Sequence, residues 1–168
     1  RLWNVHQEVS RLCLPLPSAP ACSVVFLPDG KTVLTAHGDG LGRLWDVETG
    51  VPAGSLEFAA ADPIAKFAVA PAGGLLAVGT RGGTIHLREL PSGTERTTLH
   101  AHPQAILDMA YSPDGQLLVS AADDQVTKVW HVPSGRQLGC RKRSPFQKGL
   151  HFLAFSPDGR TVATQIVE

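Results

Sequence analysis

Two unrelated sequence markers return along this chain at the same interval, which makes it a repeat protein. Pro-Asp-Gly occurs three times, and a Pro-Ala-Gly stands where a fourth copy is due. The prolines of these four turns are 43, 42 and 44 residues apart: Pro28, Pro71, Pro113 and Pro157. Tryptophan follows the same interval, with an arginine where a fourth tryptophan is due: Trp3, Trp45, Arg88 and Trp130. Periods of about 40–45 residues are typical of propeller blades and of helical arrays. The pattern inside one repeat distinguishes these two architectures.

The third repeat predicts β-strands rather than helices. Short apolar or alternating segments at 106–111, 116–120, 126–132 and 136–140 are separated by turn residues. None of them has the apolar spacing of a helix, and the breakers lie too close together for one. Proline presets the backbone for a tight turn, and Asp-Gly tolerates a positive φ. Each repeat is therefore predicted to be a four-stranded antiparallel meander.

The third repeat also resembles a blade of the WD-repeat family. It has a histidine before the first strand, Tyr-Ser-Pro-Asp-Gly at the first turn, and then Ser, Asp and Trp at the family's spacing. The resemblance extends over essentially the whole chain, because the motif and the period agree. It implies an all-β propeller whose four-stranded blades surround a central channel. We expect repeats near 22–63, 64–105 and 106–149, with partial repeats at 1–21 and 150–168.

The resemblance implies a hydrogen-bonded network inside each blade that keeps the motif. In the third repeat its members are His102, Ser120, Asp124 and Trp130. The first repeat keeps Thr35, Asp39 and Trp45 but has Pro17 in the place of the histidine, and the fourth keeps Thr164. The second repeat has Val78, Gly82 and Arg88 at the matching positions. We therefore expect apolar contacts alone to hold the second blade.

A Ser, His and Asp that recur together could suggest a hydrolase triad. Here the set occurs once per blade and includes a tryptophan, and both facts favour a structural role. The sequence has no Gly-x-Ser-x-Gly, phosphate-binding glycine loop or His-Glu-x-x-His motif. His100 and His102 lie two residues apart, but a metal site would need a third ligand. The sequence therefore predicts no catalytic residue, no cofactor and no metal.

Charge and cysteine content point to an ordinary reduced protein. Lys+Arg and Asp+Glu are both 15, and this balance gives no attraction to nucleic acid or to an anionic membrane. No apolar run reaches the length of a membrane span of about 18 residues. Cys13, Cys22 and Cys140 are widely spaced, and we expect them to be reduced and partly buried. A cytoplasmic location is the corresponding expectation.

One basic cluster stands out from this balance. Arg141, Lys142 and Arg143 are consecutive, with Arg136 before them and Lys148 after them. Two interpretations stay open: a solvated loop between blades, or a patch for phosphate, RNA or an acidic partner. No aromatic residues interleave the cluster, as a stacking site for nucleic acid would require.

The chain opens on a segment that matches the third strand of a blade and closes after a second strand. We expect it to be part of a larger propeller, which in this family commonly has seven blades. The alternative is that the terminal strand pairs close on each other to form four blades.

The function that this resemblance implies is a non-enzymatic scaffold for protein–protein interaction. We expect partners at the rim that carries the loops between the fourth and first and between the second and third strands. The candidate residues there are Cys22, Ala65, Leu107, His151, Arg81 and Asp123.

The alternative is a propeller that regulates or localises an enzyme domain of the same polypeptide, such as a protein kinase or protease. The Ala/Gly/Pro/Leu-rich composition and the repeated turns resemble bacterial WD-repeat proteins, in which such fusions occur. The partners expected are other proteins, other domains of the same chain and the remaining blades.

Overall fold

The computed structural model describes residues 2–4, 9–12, 14, 21–58, 62–142 and 148–167. All the regular structure in these residues is β-strand. No helix in them is long and apolar enough to cross a membrane. The strands are β1 (Leu2–Asn4), β2 (Val9–Leu12), β3 (Ala21–Phe26), β4 (Thr32–His37), β5 (Leu41–Asp46), β6 (Pro52–Glu57), β7 (Ile64–Val69), β8 (Leu75–Thr80), β9 (Thr84–Glu89), β10 (Glu95–His100), β11 (Ile106–Tyr111), β12 (Leu117–Ala122), β13 (Val126–His131), β14 (Arg136–Lys142), β15 (Lys148–Phe155) and β16 (Val162–Val167).

The strands form three complete four-stranded sheets in chain order: β3–β6, β7–β10 and β11–β14. We call these the first, second and third blades. A two-stranded sheet precedes them (β1–β2) and another follows (β15–β16). Every pairing is antiparallel between strands consecutive in the sequence, so the predicted all-β meander is confirmed.

Two strands of the third blade are longer than the sequence pattern predicts. The second strand continues to Ala122, because the ladder pairs Ala121 with Thr127 and Ala122 with Ile106. The fourth strand continues to Lys142, which pairs with Val126. Both strands extend beyond their predicted ends because backbone groups can pair whatever side chains the residues carry.

The Pro-Asp-Gly turns are closed by their own side chains. Asp114 Oδ1 accepts hydrogen bonds from the Gln116 N–H and the Ser112 hydroxyl, at 3.0 and 2.6 Å. These bonds hold the pKa of Asp114 below its usual range, and the Ser112 bond has the larger effect. Gly115 has a φ of 70°, in the region that glycine adopts without strain. The sequence motif therefore specifies the turn through local chemistry.

Adjacent blades pack through three separate apolar clusters. One fills the space between the first and second blades, with Leu34, Phe58 and Phe67 among its members. The second lies between the second and third blades and includes Met109 and Trp130. The third lies between the third blade and β15–β16. The core is therefore a series of inter-sheet layers, as expected for stacked repeats.

Side chains on the innermost strands add polar ties between neighbouring blades. Ser23 Oγ accepts a hydrogen bond from the Phe67 N–H at 3.2 Å, joining the first and second blades. Asp108 Oδ2 accepts one from the Leu153 N–H at 2.6 Å, joining the third blade to β15. Asp108 Oδ1 also lies 3.2 Å from Lys66 Nζ of the second blade. These contacts fix the position of the innermost strand of each blade relative to that of the next.

Candidate functional site

The structure brings together all four residues of the network that the resemblance implies for the third blade. His102 Nδ1 lies 2.8 Å from Asp124 Oδ2, and His102 Nε2 lies 2.8 Å from Ser120 Oγ. Trp130 Nε1 donates to Ser120 Oγ at 3.0 Å. An ionised carboxylate can only accept, so Nδ1 carries the hydrogen of the neutral imidazole. Ser120 then donates to Nε2 and accepts from the indole.

This network has the connectivity of a hydrolase triad but not its accessibility. Ser120 is fully buried, so no substrate can reach its hydroxyl, and its oxygen already accepts from Trp130. Burial lowers the pKa of His102, and the hydrogen bond to Asp124 only partly opposes this. The imidazole therefore stays neutral near pH 7, as a structural hydrogen-bonding group. The arrangement stabilises the blade and has no means of performing hydrolysis.

The first blade completes a similar network with a histidine that sequence reasoning missed. Trp45 Nε1 donates to Thr35 Oγ1 at 2.8 Å, and His37 Nε2 lies 2.9 Å from the same oxygen. His37 is on β4 itself, two residues after the threonine, and it is fully buried. The available signal was the Thr-x-His spacing at the end of a strand. Pro17, at the expected histidine position, lies outside the described residues.

Asp39 lies in the turn that follows β4 and forms its described hydrogen bonds there. Among the described contacts, its carboxylate forms two hydrogen bonds with the Arg43 guanidinium, at 2.7 and 3.2 Å, and one with the Leu41 N–H. The Arg43 hydrogen bond lowers the pKa of Asp39 to about 2. Asp39 therefore secures the turn between β4 and β5, and the nearby His37 also contributes to lowering its pKa.

The prediction that apolar contacts alone hold the second blade is wrong. Arg88, at the tryptophan position, is buried and donates to the Gly93 carbonyl and to Glu95 Oε2, both at 3.1 Å. Its guanidinium carbon also lies 5.3 Å from the centre of the Phe58 ring, at cation–π distance. Glu95 in turn accepts from the Thr98 hydroxyl at 2.5 Å, which holds the pKa of this carboxyl below its usual range. His86 lies beside Glu95 and Thr98 in the same group of side chains.

Gly82, which replaces the network aspartate in this blade, belongs to the turn between β8 and β9. The next residue, Gly83, has a φ of 87°, and its N–H donates to the Thr80 carbonyl. A Cβ on Gly83 would lie 2.1 Å from the His102 carbonyl oxygen. This glycine is therefore required by the close approach of the segment that carries His102, and its role is structural.

Thr164, the last of the network candidates, lies on β16 and is exposed. It pairs with Leu153 across the two-stranded sheet. Within the part of the chain that the structure describes, no hydrogen bond joins its hydroxyl to a network. Its expected role stays a prediction.

The backbone places the rim candidates of each blade at one end of the sheet. The Arg81 N–H donates to the Pro63 carbonyl at 2.9 Å, just before the first strand of the second blade. The Asp123 N–H donates to the Ala105 carbonyl at 3.0 Å, at the same position in the third blade. In both blades, the loop between the second and third strands therefore lies beside the start of the first strand. The Arg81 and Asp123 side chains are both exposed.

The other rim candidates differ in exposure. Cys22 is exposed, and its thiol donates to the Ile64 carbonyl across the first blade boundary at 3.4 Å. Partial burial raises the pKa of this thiol. Ala65 and Leu107 are half-buried, and Leu107 packs against the cluster between the third blade and β15. His151 lies on β15, and its side chain is outside the described residues.

Cys140 is free and exposed, so the expectation of a partly buried cysteine is wrong there. Cys22 is also free and exposed as a residue, but its thiol is partly buried at the blade boundary. Cys13 lies outside the described residues. Among the residues that the structure describes, no three His, Cys, Asp or Glu side chains converge as metal ligands would.

Comparisons with known proteins agree with this architecture. The family described as "WD40: WD domain, G-beta repeat" matches residues 10–46 and 93–131. Telomerase protein component 1 of Rattus norvegicus is 33% identical over 158 residues, covering 94% of this chain and 6% of that protein. The LST8 homologue of Drosophila melanogaster is 27% identical over 144 residues, covering 83% of this chain and 46% of that protein.

Solved structures show the same fold at lower sequence identity. A chain of the mitotic checkpoint complex superposes with a TM-score of 0.82 at 22% identity, covering 96% of this chain and 49% of that one. The U3-55K structure gives a TM-score of 0.72 at 22% identity, covering 79% of this chain and 42% of that one. The chain therefore spans less than half of each of these four proteins.

The two named sequence relatives are eukaryotic, so the resemblance to bacterial WD-repeat proteins gains no support. Motif, meander and blade stacking agree with the matched family and with the shared propeller fold. This chain belongs to the WD-repeat family of β-propeller proteins, which generally serve as scaffolds or regulators in protein interactions.

Proposed function

We propose that this chain is a non-catalytic interaction module that binds a partner protein at the loop rim. By loop rim we mean the blade ends that carry Arg81 and Asp123. The observation that carries the proposal is the pair of backbone hydrogen bonds from these residues to Pro63 and Ala105. They hold each loop against the start of the innermost strand, so the exposed side chains stand on a rigid support.

The charge on this rim changes from one blade to the next. The second blade contributes the exposed Arg81, and the third blade contributes the exposed Asp123. Lys66 of the second blade and the buried Asp108 of the third form an ion pair with each other. A partner that matches this rim would carry an acidic group over the second blade and a basic group over the third.

The test is capture of partner proteins by the full-length protein and by an Arg81→Glu/Asp123→Lys variant. Both side chains are exposed, so the fold should survive their reversal. Leu107 is unsuitable for this test, because it packs between blades. We expect the variant to lose a set of partners that the wild type captures.

A matched control reverses two exposed charges of opposite sign at the opposite end of the blades. Lys31 follows a Pro-Asp-Gly turn and Glu48 lies in the turn after β5, so Lys31→Glu/Glu48→Lys changes charge away from the loop rim and, like the rim variant, leaves the net charge unchanged. We expect this control to keep the wild-type partners. The proposal is wrong if the rim variant captures the same set as the wild type while both remain folded.

A second candidate function is regulation or localisation of another domain of the same polypeptide. The observation that favours it is the match to telomerase protein component 1, in which the similar region is 6% of the whole protein. Reading the complete open reading frame tests this candidate. An adjoining enzyme domain would support it, and a chain made of propeller blades alone would contradict it.

A further inference from the structure

The basic cluster singled out in the sequence lies partly on a strand, not in a loop. Arg136, Arg141 and Lys142 all belong to β14, the outermost strand of the third blade. Among the residues that the structure describes, β14 pairs with β13 only, so its other edge has no neighbouring strand there. Every residue of β14 except Gly139 is exposed. The cluster is therefore attached to an open sheet edge.

The last part of this edge has the regular geometry needed to accept another strand. Residues 139–142 pair with β13 in unbroken register, from Gly139 opposite Val129 to Lys142 opposite Val126. The one irregularity of the pairing lies earlier, at Leu138, whose exposed fraction is 53%. A regular run of strand edge beside an exposed apolar side chain is the combination that an added peptide strand uses.

Charge separates this edge from the outer edges of the other two blades. The sequence of β14, Arg-Gln-Leu-Gly-Cys-Arg-Lys, contains three cations and no acidic residue. In β6 the only charged residue is Glu57, and Pro52 weakens the edge further. In β10 the negative charge of Glu95 is adjacent to the positive charge of Arg96. Among the described residues, no ion pair involves Arg136, Arg141 or Lys142.

Like charges across a strand pair are destabilising, whereas opposite charges are favourable. A second copy of β14 added to this edge would bring cations next to cations. An acidic strand would instead neutralise Arg141 and Lys142 while its backbone completes the ladder. Nucleic acid would use the charges but not the backbone edge, and a base-stacking surface would need exposed aromatic residues.

We propose that the outer edge of β14, residues 139–142, is a docking site for an extended acidic peptide segment of a partner protein. The segment adds as a fifth strand to the third blade, with its carboxylates against Arg141 and Lys142 and an apolar side chain near Leu138. This edge lies on the outermost strand, at the end of β14 that leads toward the loop rim, because Lys142 pairs with Val126 just after the loop that carries Asp123. The two proposed sites use different residues, so the Arg81/Asp123 and Arg141/Lys142 variants test them separately.

The test uses the full chain and a labelled peptide in which pairs of consecutive Glu residues alternate with single Val residues, because the consecutive residues Arg141 and Lys142 point to opposite faces of the sheet. We expect measurable binding by fluorescence anisotropy and slower amide hydrogen exchange at residues 139–142 in the complex. The variant Arg141→Glu/Lys142→Glu should weaken binding by about tenfold or more, because two exposed attractions become repulsions. The variant Lys31→Glu/Arg160→Glu has the same net charge and should bind as the wild type does.

A second peptide separates strand addition from simple charge attraction. It keeps every Glu but replaces Val with Pro, which cannot donate to a ladder. We expect it to bind far more weakly than the first peptide. Equal binding of the two peptides, or equal loss in both protein variants, would overturn the proposal. So would an oligothymidylate that binds through Arg141 and Lys142 while the acidic peptide does not.

Discussion

The second and third blades have the same strand order but bond the large buried side chain of their third strand with different chemistry. In the third blade, Trp130 donates to Ser120, and His102 bridges that hydroxyl to Asp124. In the second blade Val78 stands in place of the hydroxyl, and Arg88 donates instead to Gly93 and Glu95. The third blade therefore has a series of neutral hydrogen-bonding groups that ends at the Asp124 carboxylate. The second blade has the Arg88 guanidinium paired with Glu95 and placed over the Phe58 ring.

This difference shows that the position does not require a tryptophan in particular. The Arg88 guanidinium also donates two hydrogen bonds within the sheet, although among the described residues its Nε has no partner, whereas the Trp130 N–H is paired. The two arrangements differ in how far their polar side chains are exposed to solvent. Ser120 is fully buried, whereas the Glu95 side chain is 41% exposed. Loss of a partner should therefore cost more in the third blade than in the second.

The largest effect is expected for Ser120→Ala. The change barely alters volume but leaves the Trp130 N–H and the His102 Nε2 without their partner. Each unsatisfied buried group costs about 1–3 kcal/mol, so with two such groups the free energy of unfolding should fall by about 2–6 kcal/mol. Urea denaturation measures it. The control is Ser55→Ala on β6, where the serine is exposed and the change should be within about 0.5 kcal/mol. Equal losses in the two variants would show that the network contributes nothing.

Arg88→Met should have a smaller effect, a loss of about 1–2 kcal/mol in the same measurement. Methionine keeps the apolar contact with Phe58 but removes the bonds to Gly93 and Glu95. Glu95 can then turn to water, which limits the cost. A loss as large as that of Ser120→Ala would contradict the contrast between the two blades.

The hydroxyl–indole pair of the third blade can be introduced into the second blade at Val78 and Arg88. Val78 precedes Arg88 by ten residues, the spacing that separates Ser120 from Trp130. Arg88→Trp alone would bury an indole N–H opposite a valine, whereas Val78→Thr/Arg88→Trp would give it an acceptor. We expect the double variant to be more stable than the sum of the two single changes by about 1 kcal/mol. Simple additivity would show that the hydroxyl and the indole do not meet in this blade.

Acidification should destabilise the protein through His102. Burial lowers the pKa of His102 below its usual 6.5, so the unfolded chain binds a proton at a pH where the folded chain does not. The contribution is intact above pH 6.5 and is lost as the pH falls toward the folded-state pKa. His102→Gln should flatten this slope, whereas His100→Gln, at an exposed site, should leave it unchanged. Parallel slopes for the two variants would refute the assignment.

The smallest effect is expected for Asp39→Asn in the first blade. The ion pair with Arg43 is partly exposed, so its loss should cost about 0.2–1 kcal/mol. The Arg43 hydrogen bond holds the pKa of Asp39 near 2, so the stability difference should shrink as the pH falls below 3.8. Measuring unfolding at neutral and acidic pH checks this. A difference as large as that of Ser120→Ala would instead place Asp39 in a buried network.

Sequence reasoning predicted the fold almost completely because its signals are local. Pro-Asp-Gly turns close through bonds within a few residues, as at Ser112, Asp114 and Gln116. The third-blade network was predictable because all four motif residues are present in one repeat. The candidate rim was less predictable, since whether Leu107 faces a partner or the next blade depends on how the blades stack.

By itself, the sequence determined the repeat, its strands and its turns, because each depends on short-range backbone preferences and alternation. Only the tertiary structure decided which partner each buried polar group finds. Arg88 reaches the ring of Phe58, thirty residues earlier in the chain, and His37 supplies the imidazole that the first blade lacks at its usual position. Such partners are chosen by proximity across strands and blades. A one-dimensional spacing cannot record a contact between residues that only packing brings together.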